Sequence, residues 1–262
     1  MSIQGRAEPR PRYTGFRVVA WIMAVSAIAF GIVTAGTGIV VEEMRIHSFH
    51  NVVVASLLLA ISAPAALAAA RHADHPLPAL MQLAAIGVAG LSTMALSLTL
   101  DPFTLPFIVL GGVLWALWLR RPERDPFPRE HASVVLSVLV LAAAVPLVGW
   151  SLDSAELQRI DDVSEHAELL HWVETSFFAV AVLLLGLIAA LRPVAFRSSA
   201  WSAGIGLAIA GGASLALSDY ASALGSTWAA IALVGGLAFV GAAEWEARRR
   251  GRKSSPTGLA TT

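Results

Sequence analysis

The sequence predicts an all-α, polytopic membrane protein with eight transmembrane helices, and three observations predict it. Hydrophobic residues make up 56% of the 262 residues, charged residues only 14%, and mean hydropathy is +0.70. A soluble domain carries about 25% charged residues. Eight uncharged stretches approach the roughly 20 residues that a helix needs to cross the hydrocarbon core. The basic residues alternate along the chain in step with those stretches.

The apolar stretches are 18–41, 51–70, 79–100, 102–119, 132–152, 175–191, 198–218 and 220–243. The sixth extends back through Glu174 and Trp172 to full length. A single acid divides the third from the fourth, at Asp101-Pro102, and the seventh from the eighth, at Asp219-Tyr220. One continuous helix over either pair would be about 60 Å long, twice the core thickness. A tight turn at each acid is the better reading, and Asp-Pro starts turns well. Pro64, Pro106 and Pro146 lie inside spans and are expected to kink them.

With the N-terminus in the cytoplasm, 16 of the 18 basic residues fall on that side, leaving Arg45 and Arg159 opposite. The positive-inside rule therefore predicts a multi-pass protein of the cell (inner or plasma) membrane with both termini cytoplasmic. The organisation follows: a cytoplasmic segment 1–17, a four-helix unit 18–119, a cytoplasmic linker 120–131, a second four-helix unit 132–246, and a basic, disordered tail 247–262.

The two units read as a tandem, parallel repeat. His50 lies 21 residues before Arg71, and His171 lies 21 before Arg192. GVAGLSTMALSLT in the third span parallels GLAIAGGASLALS in the seventh. An even number of spans per unit keeps both units in one orientation. The pairs Gly111-Gly112, Gly211-Gly212 and Gly235-Gly236 suit close helix approach, and Gln82 an interhelical hydrogen bond.

Composition also excludes functions. There is no Cys, which removes disulfides, thiolate metal sites, iron–sulfur clusters and cysteine nucleophiles. The only Lys is Lys253 in the tail, so no retinal Schiff base forms inside the membrane. No Walker loop, HExxH or GxSxG motif occurs. The basic residues are spread over the cytoplasmic segments, which argues against nucleic acid as a partner. The partners the sequence does imply are the lipid bilayer and a small-molecule ligand.

The residues that suggest chemistry lie on the outer side. Glu43, His47 and His50 are separated by four and three residues, so a helix beginning above the membrane would present all three on one face. His171 and Glu174 are three apart, whereas His166, five before His171, would point elsewhere on a continuous helix. Imidazole and carboxylate suit zinc, copper, iron or manganese, and neutral imidazole suits haem iron. Glu43, His47, His50, His171 and Glu174 are the candidate metal ligands. His50 and His171 are the candidate axial ligands of a b-type haem. Glu174, one turn inside its span, is the candidate proton-coupling group of a transporter, since ionisable groups there usually face a cavity or partner. Histidines and acids at wet helix ends also occur without chemistry, as in a non-catalytic scaffold or assembly factor. His72 and His75 form an HxxH pair best read as a solvated loop, and Asp101 and Asp219 as turn residues.

This layout resembles that of haem A synthases: eight spans in two four-helix halves, with haem-ligand histidines toward the outer side. The resemblance implies ligand roles for His50 and His171, which open the second helix of each half. The family's further ligand histidine in the fourth helix of each half has no counterpart in 102–119 or 220–243, and the cysteine pair of many members is absent.

Overall fold

The apolar stretches all fold as helices. The computed structural model describes residues 13–41, 46–120, 132–161, 164–191, 196–220 and 223–254. In chain order the helices are α1 (Thr14–Val40), α2 (Ser48–Arg71), α3 (Leu77–Ser97), α4 (Leu105–Leu119), α5 (Val134–Ile160), the short α6 (Glu165–Glu168), α7 (His171–Leu191), α8 (Phe196–Ala216) and α9 (Ser226–Ser254). No strand occurs among the described residues.

Seven of these helices are long and apolar enough to cross a membrane. The fourth expected span is shorter: α4 has 15 residues, about 22 Å at 1.5 Å per residue. Its start is delayed by a turn built on Asp101. The carboxylate accepts hydrogen bonds from the Phe103 and Thr104 backbone N–H groups at 2.8 and 3.3 Å and from the Thr104 hydroxyl. That is the turn chemistry expected of Asp-Pro. On the other side of this turn Leu98 takes φ 54° and closes α3, and the Thr99 N–H returns to the Met94 carbonyl.

α2 is interrupted at Leu57–Ser62 by a π-helical turn. Pro64 lies two residues beyond it; its missing N–H and its ring disturb the bonding of the preceding turn, and a wider turn relieves the clash. α9 runs past the arginine cluster to Ser254.

Four helices form the interior and four surround them. More than half of each of α2, α3, α7 and α8 is buried, against less than a third of α1, α5 and α9. The outer helices turn large apolar side chains outward, among them Ile32, Val33, Leu141, Val145 and Val234. So wide an apolar exterior suits lipid rather than water. The fully buried centre holds Phe49, Ile61, Leu80, Phe178 and Leu185.

Polar contacts tie the bundle at the end where α1 begins. Ser133 caps α5, donates its N–H to the Ala190 carbonyl and its hydroxyl to Glu246. Arg197 holds Glu244 by two bonds of 2.8 and 2.7 Å, and Trp201 Nε1 adds a third. Gln82 makes the expected interhelical bond, to Ser198 on α8. His75 and Asp74 sit exposed in their loop, as expected of the HxxH pair.

α8 and α9 meet backbone to backbone. A Cβ on Gly204 would lie 2.6 Å from the Gly236 carbonyl oxygen, and one on Gly211 2.6 Å from the Ala229 carbonyl oxygen. Of the expected glycine pairs, Gly211 and Gly236 make close approaches; Gly111, Gly112, Gly212 and Gly235 have open space where a Cβ would be.

Candidate metal centre

At the opposite end, four histidines from three segments converge. His47 and His50 come from the start of α2. The helix begins at Ser48 with His47 as its N-cap residue, and the two rings pack against the same pair, His166 and His171. Glu43 lies outside the described residues. His171 opens α7. His166 comes from α6, and the expectation that it points away is overturned.

The reason lies at Leu170. The stretch between the fifth and sixth apolar runs holds little loop, because α5 continues to Ile160 and α6 fills part of what remains. Between α6 and α7, Leu170 adopts φ 63°, the left-handed region that a leucine rarely enters. The chain reverses there, and the helical spacing between 166 and 171 no longer applies. Asp161 holds the reversed segment. It accepts from the Ser164 N–H at 3.1 Å, from the Ser164 hydroxyl and from Trp172 Nε1 at 3.2 Å. Gln158 reaches across to the Ala167 carbonyl at 3.0 Å.

The rings pack closely. His171 lies 4.5 Å from His47 and 4.5 Å from His50, centroid to centroid. His166 lies 4.8 Å from His47, 5.1 Å from His50 and 5.7 Å from His171. Trp172 stacks on His166 at 5.4 Å. His47 and His50 are each 1% exposed and His171 6%.

Hydrogen bonding sorts these imidazoles. The Thr175 hydroxyl gives its only proton to the His171 carbonyl, so His50 Nδ1 donates to Thr175, at 3.1 Å. His47 Nε2 contacts the Glu165 carboxylate at 3.4 Å. Three other ring nitrogens are buried without a hydrogen-bond partner: His47 Nδ1, His166 Nε2 and His171 Nδ1. Burial and the neighbouring His47 push the His166 pKa below its usual value, which favours the neutral, ligating form. Among the described residues, His47, His166 and His171 are the group that could hold a metal ion, their ligand atoms lying within 4.8 Å of one another.

Glu174 stands apart from this group. It lines a separate cavity of about 210 Å³ deeper in the bundle, which His171 also borders. Asp219 lies in the turn after α8 and takes a contact from the Ser218 hydroxyl.

Fold and site define a multi-pass helical membrane protein with a buried histidine cluster at one end of its bundle. Comparison with models of known protein families, with curated proteins and with solved structures finds no match.

Proposed function

We propose that this protein binds a single transition-metal ion, with His47, His166 and His171 as ligands. One observation carries the reading: three imidazoles from three segments bring a ligand atom each within 4.8 Å of one another, and each ring has a buried nitrogen without a hydrogen-bond partner. Buried polar atoms are almost always paired, and a partnerless set of good ligand atoms fits an ion. Glu165 on the far nitrogen of His47 supports it, since carboxylates commonly orient metal-bound histidines in this way. An all-imidazole set without thiolate suits zinc or copper(II). Ligand atoms about 2.1 Å from a tetrahedral zinc lie roughly 3.4 Å apart, so binding draws the rings inward. Three protein ligands leave a fourth position open to water or a substrate, the pattern of catalytic rather than structural zinc.

A b-type haem between His50 and His171 has less support. The two rings stack directly at 4.5 Å and 15°, without the gap that a porphyrin occupies. The contact does fit the tandem reading, in which the two are pseudo-symmetry mates. The interior helices α2, α3, α7 and α8 are likewise the second and third members of each unit.

We place the protein in the cell membrane with eight spans, both termini cytoplasmic and the histidine end outside, on the distribution of basic residues. The short α4 spans by local thinning of the bilayer.

The test is a zinc titration of the chelator-treated protein in mild detergent. Wild type is expected to bind one zinc per chain, and His47→Ala and His166→Ala to weaken binding by about 100-fold or more. Absence of saturable binding by either zinc or copper would overturn the reading.

A further inference from the structure

The cavity beside the histidine cluster has a chemistry of its own. Among the described residues, its walls carry four aromatic rings, Phe30, Phe103, Phe107 and Phe177, and one acid, Glu174. Among the described residues lining it there is no arginine or lysine. Asn51, 6% exposed, lines it as well, and its Nδ2 is buried without a hydrogen-bond partner. Asp101, bonded to the wall residue Thr104, adds a second acid nearby. Phe30 and Phe103, with ring centroids 6.1 Å apart, are about half exposed on the outside of the bundle. The cavity is therefore bordered by residues that also face the apolar exterior.

A carboxylate within a membrane span is costly unless paired or reached by water. Aromatic faces attract a cation electrostatically, most strongly where water is excluded. An unpaired amide N–H asks for an acceptor. A volume of about 210 Å³ is too large for a bare metal ion and holds a small organic molecule.

We propose that this cavity binds a small organic ammonium ion that reaches it from the bilayer. Glu174 takes the ammonium group, the phenylalanines enclose its apolar body, and Asn51 Nδ2 donates to an acceptor on the ligand where it has one. The site is independent of the metal reading: its acid and aromatic groups are not metal ligands, and it shares only the His171 wall.

The test uses full-length, chelator-treated protein in mild detergent and three probes of similar shape: phenethylammonium, neutral 2-phenylethanol and anionic 3-phenylpropionate. Binding is read by ligand-observed saturation-transfer NMR and by equilibrium titration. Phenethylammonium is expected to bind at least about tenfold more tightly than either other probe, the effect of one charge-assisted contact. Glu174→Gln is expected to remove that preference, and His166→Ala to leave it intact. The probe series on wild-type protein decides the matter even if Glu174→Gln fails to fold. Equal binding of all three probes, no binding of phenethylammonium, or unchanged preference in a folded Glu174→Gln would each overturn the proposal.

Discussion

Alanine in place of His171 is expected to abolish metal binding, while alanine in place of His50 only weakens it. His171 is the centre of the cluster. Its ring touches those of His47, His50 and His166, and its Nδ1 is one of the three partnerless nitrogens. Without it two imidazoles remain, and no third donor of the group replaces it. His50 acts differently. Its Nδ1 is committed to Thr175, and its ring supports His171 by stacking. Loss of such a supporting group costs about 10- to 100-fold in affinity. Stability provides a second readout. An ion at 100 times its dissociation constant stabilises the folded state by about 2.7 kcal/mol. Zinc is therefore expected to raise the thermal midpoint of wild type clearly, of His50→Ala less, and of His171→Ala not at all. Equal zinc-induced shifts in wild type and His171→Ala would remove His171 from the site.

Valine in place of Gly211 is expected to destabilise the bundle by about 1–3 kcal/mol or more, while alanine at the adjacent Gly212 is neutral or mildly stabilising. A Cβ at 211 would meet the Ala229 carbonyl oxygen at 2.6 Å and the Ala232 carbonyl carbon at 3.0 Å. These are backbone atoms of a packed helix and have no rotamer to escape into. Accommodation requires α8 and α9 to separate, and that loosens the close packing around Gly204 and Gly236 as well. At 212 a Cβ meets nothing within 4 Å, and alanine favours the helix. Thermal unfolding of the two variants in one detergent measures the contrast. Equal midpoints would show that the glycine contact carries no stability.

Much of the fold was legible because a membrane constrains sequence so strongly. Each uncharged run became a helix, since a segment surrounded by hydrocarbon must satisfy its backbone internally. Asp101 was legible as a turn because aspartate bonds locally to its own backbone, and Gln82 because a lone amide inside a span needs a partner. The short α4 was not: charge and hydropathy do not report that the Asp101 turn continues to Thr104. Two of the three glycine pairs pointed to the right helices, α8 and α9, while Gly111-Gly112 on α4 meets nothing; which glycine of a pair faces its neighbour depends on helix rotation, which a pair of adjacent glycines does not encode.

The site was half legible. Their matched spacing to Arg71 and Arg192 drew attention to His50 and His171, and these two rings stack. His166 was lost to helical spacing, because nothing in HAELLHW marks a break. The reversal rests on a leucine with positive φ, where glycine or asparagine would have been the visible signal. The usable clue was Asp161 with Ser164, a local bonding pattern that ends one helix and starts another. Glu174 was grouped with the metal ligands because it lies one turn from His171, yet that turn is enough to carry it into the neighbouring cavity.

The central claim is that imidazoles of His47, His166 and His171 hold one metal ion. X-ray absorption spectroscopy of zinc-loaded protein in detergent tests it most directly. The account predicts a first shell of nitrogen and oxygen at about 2.0–2.1 Å, with the outer-shell scattering of three imidazole rings. A shell of oxygen alone, without imidazole scattering, would contradict it.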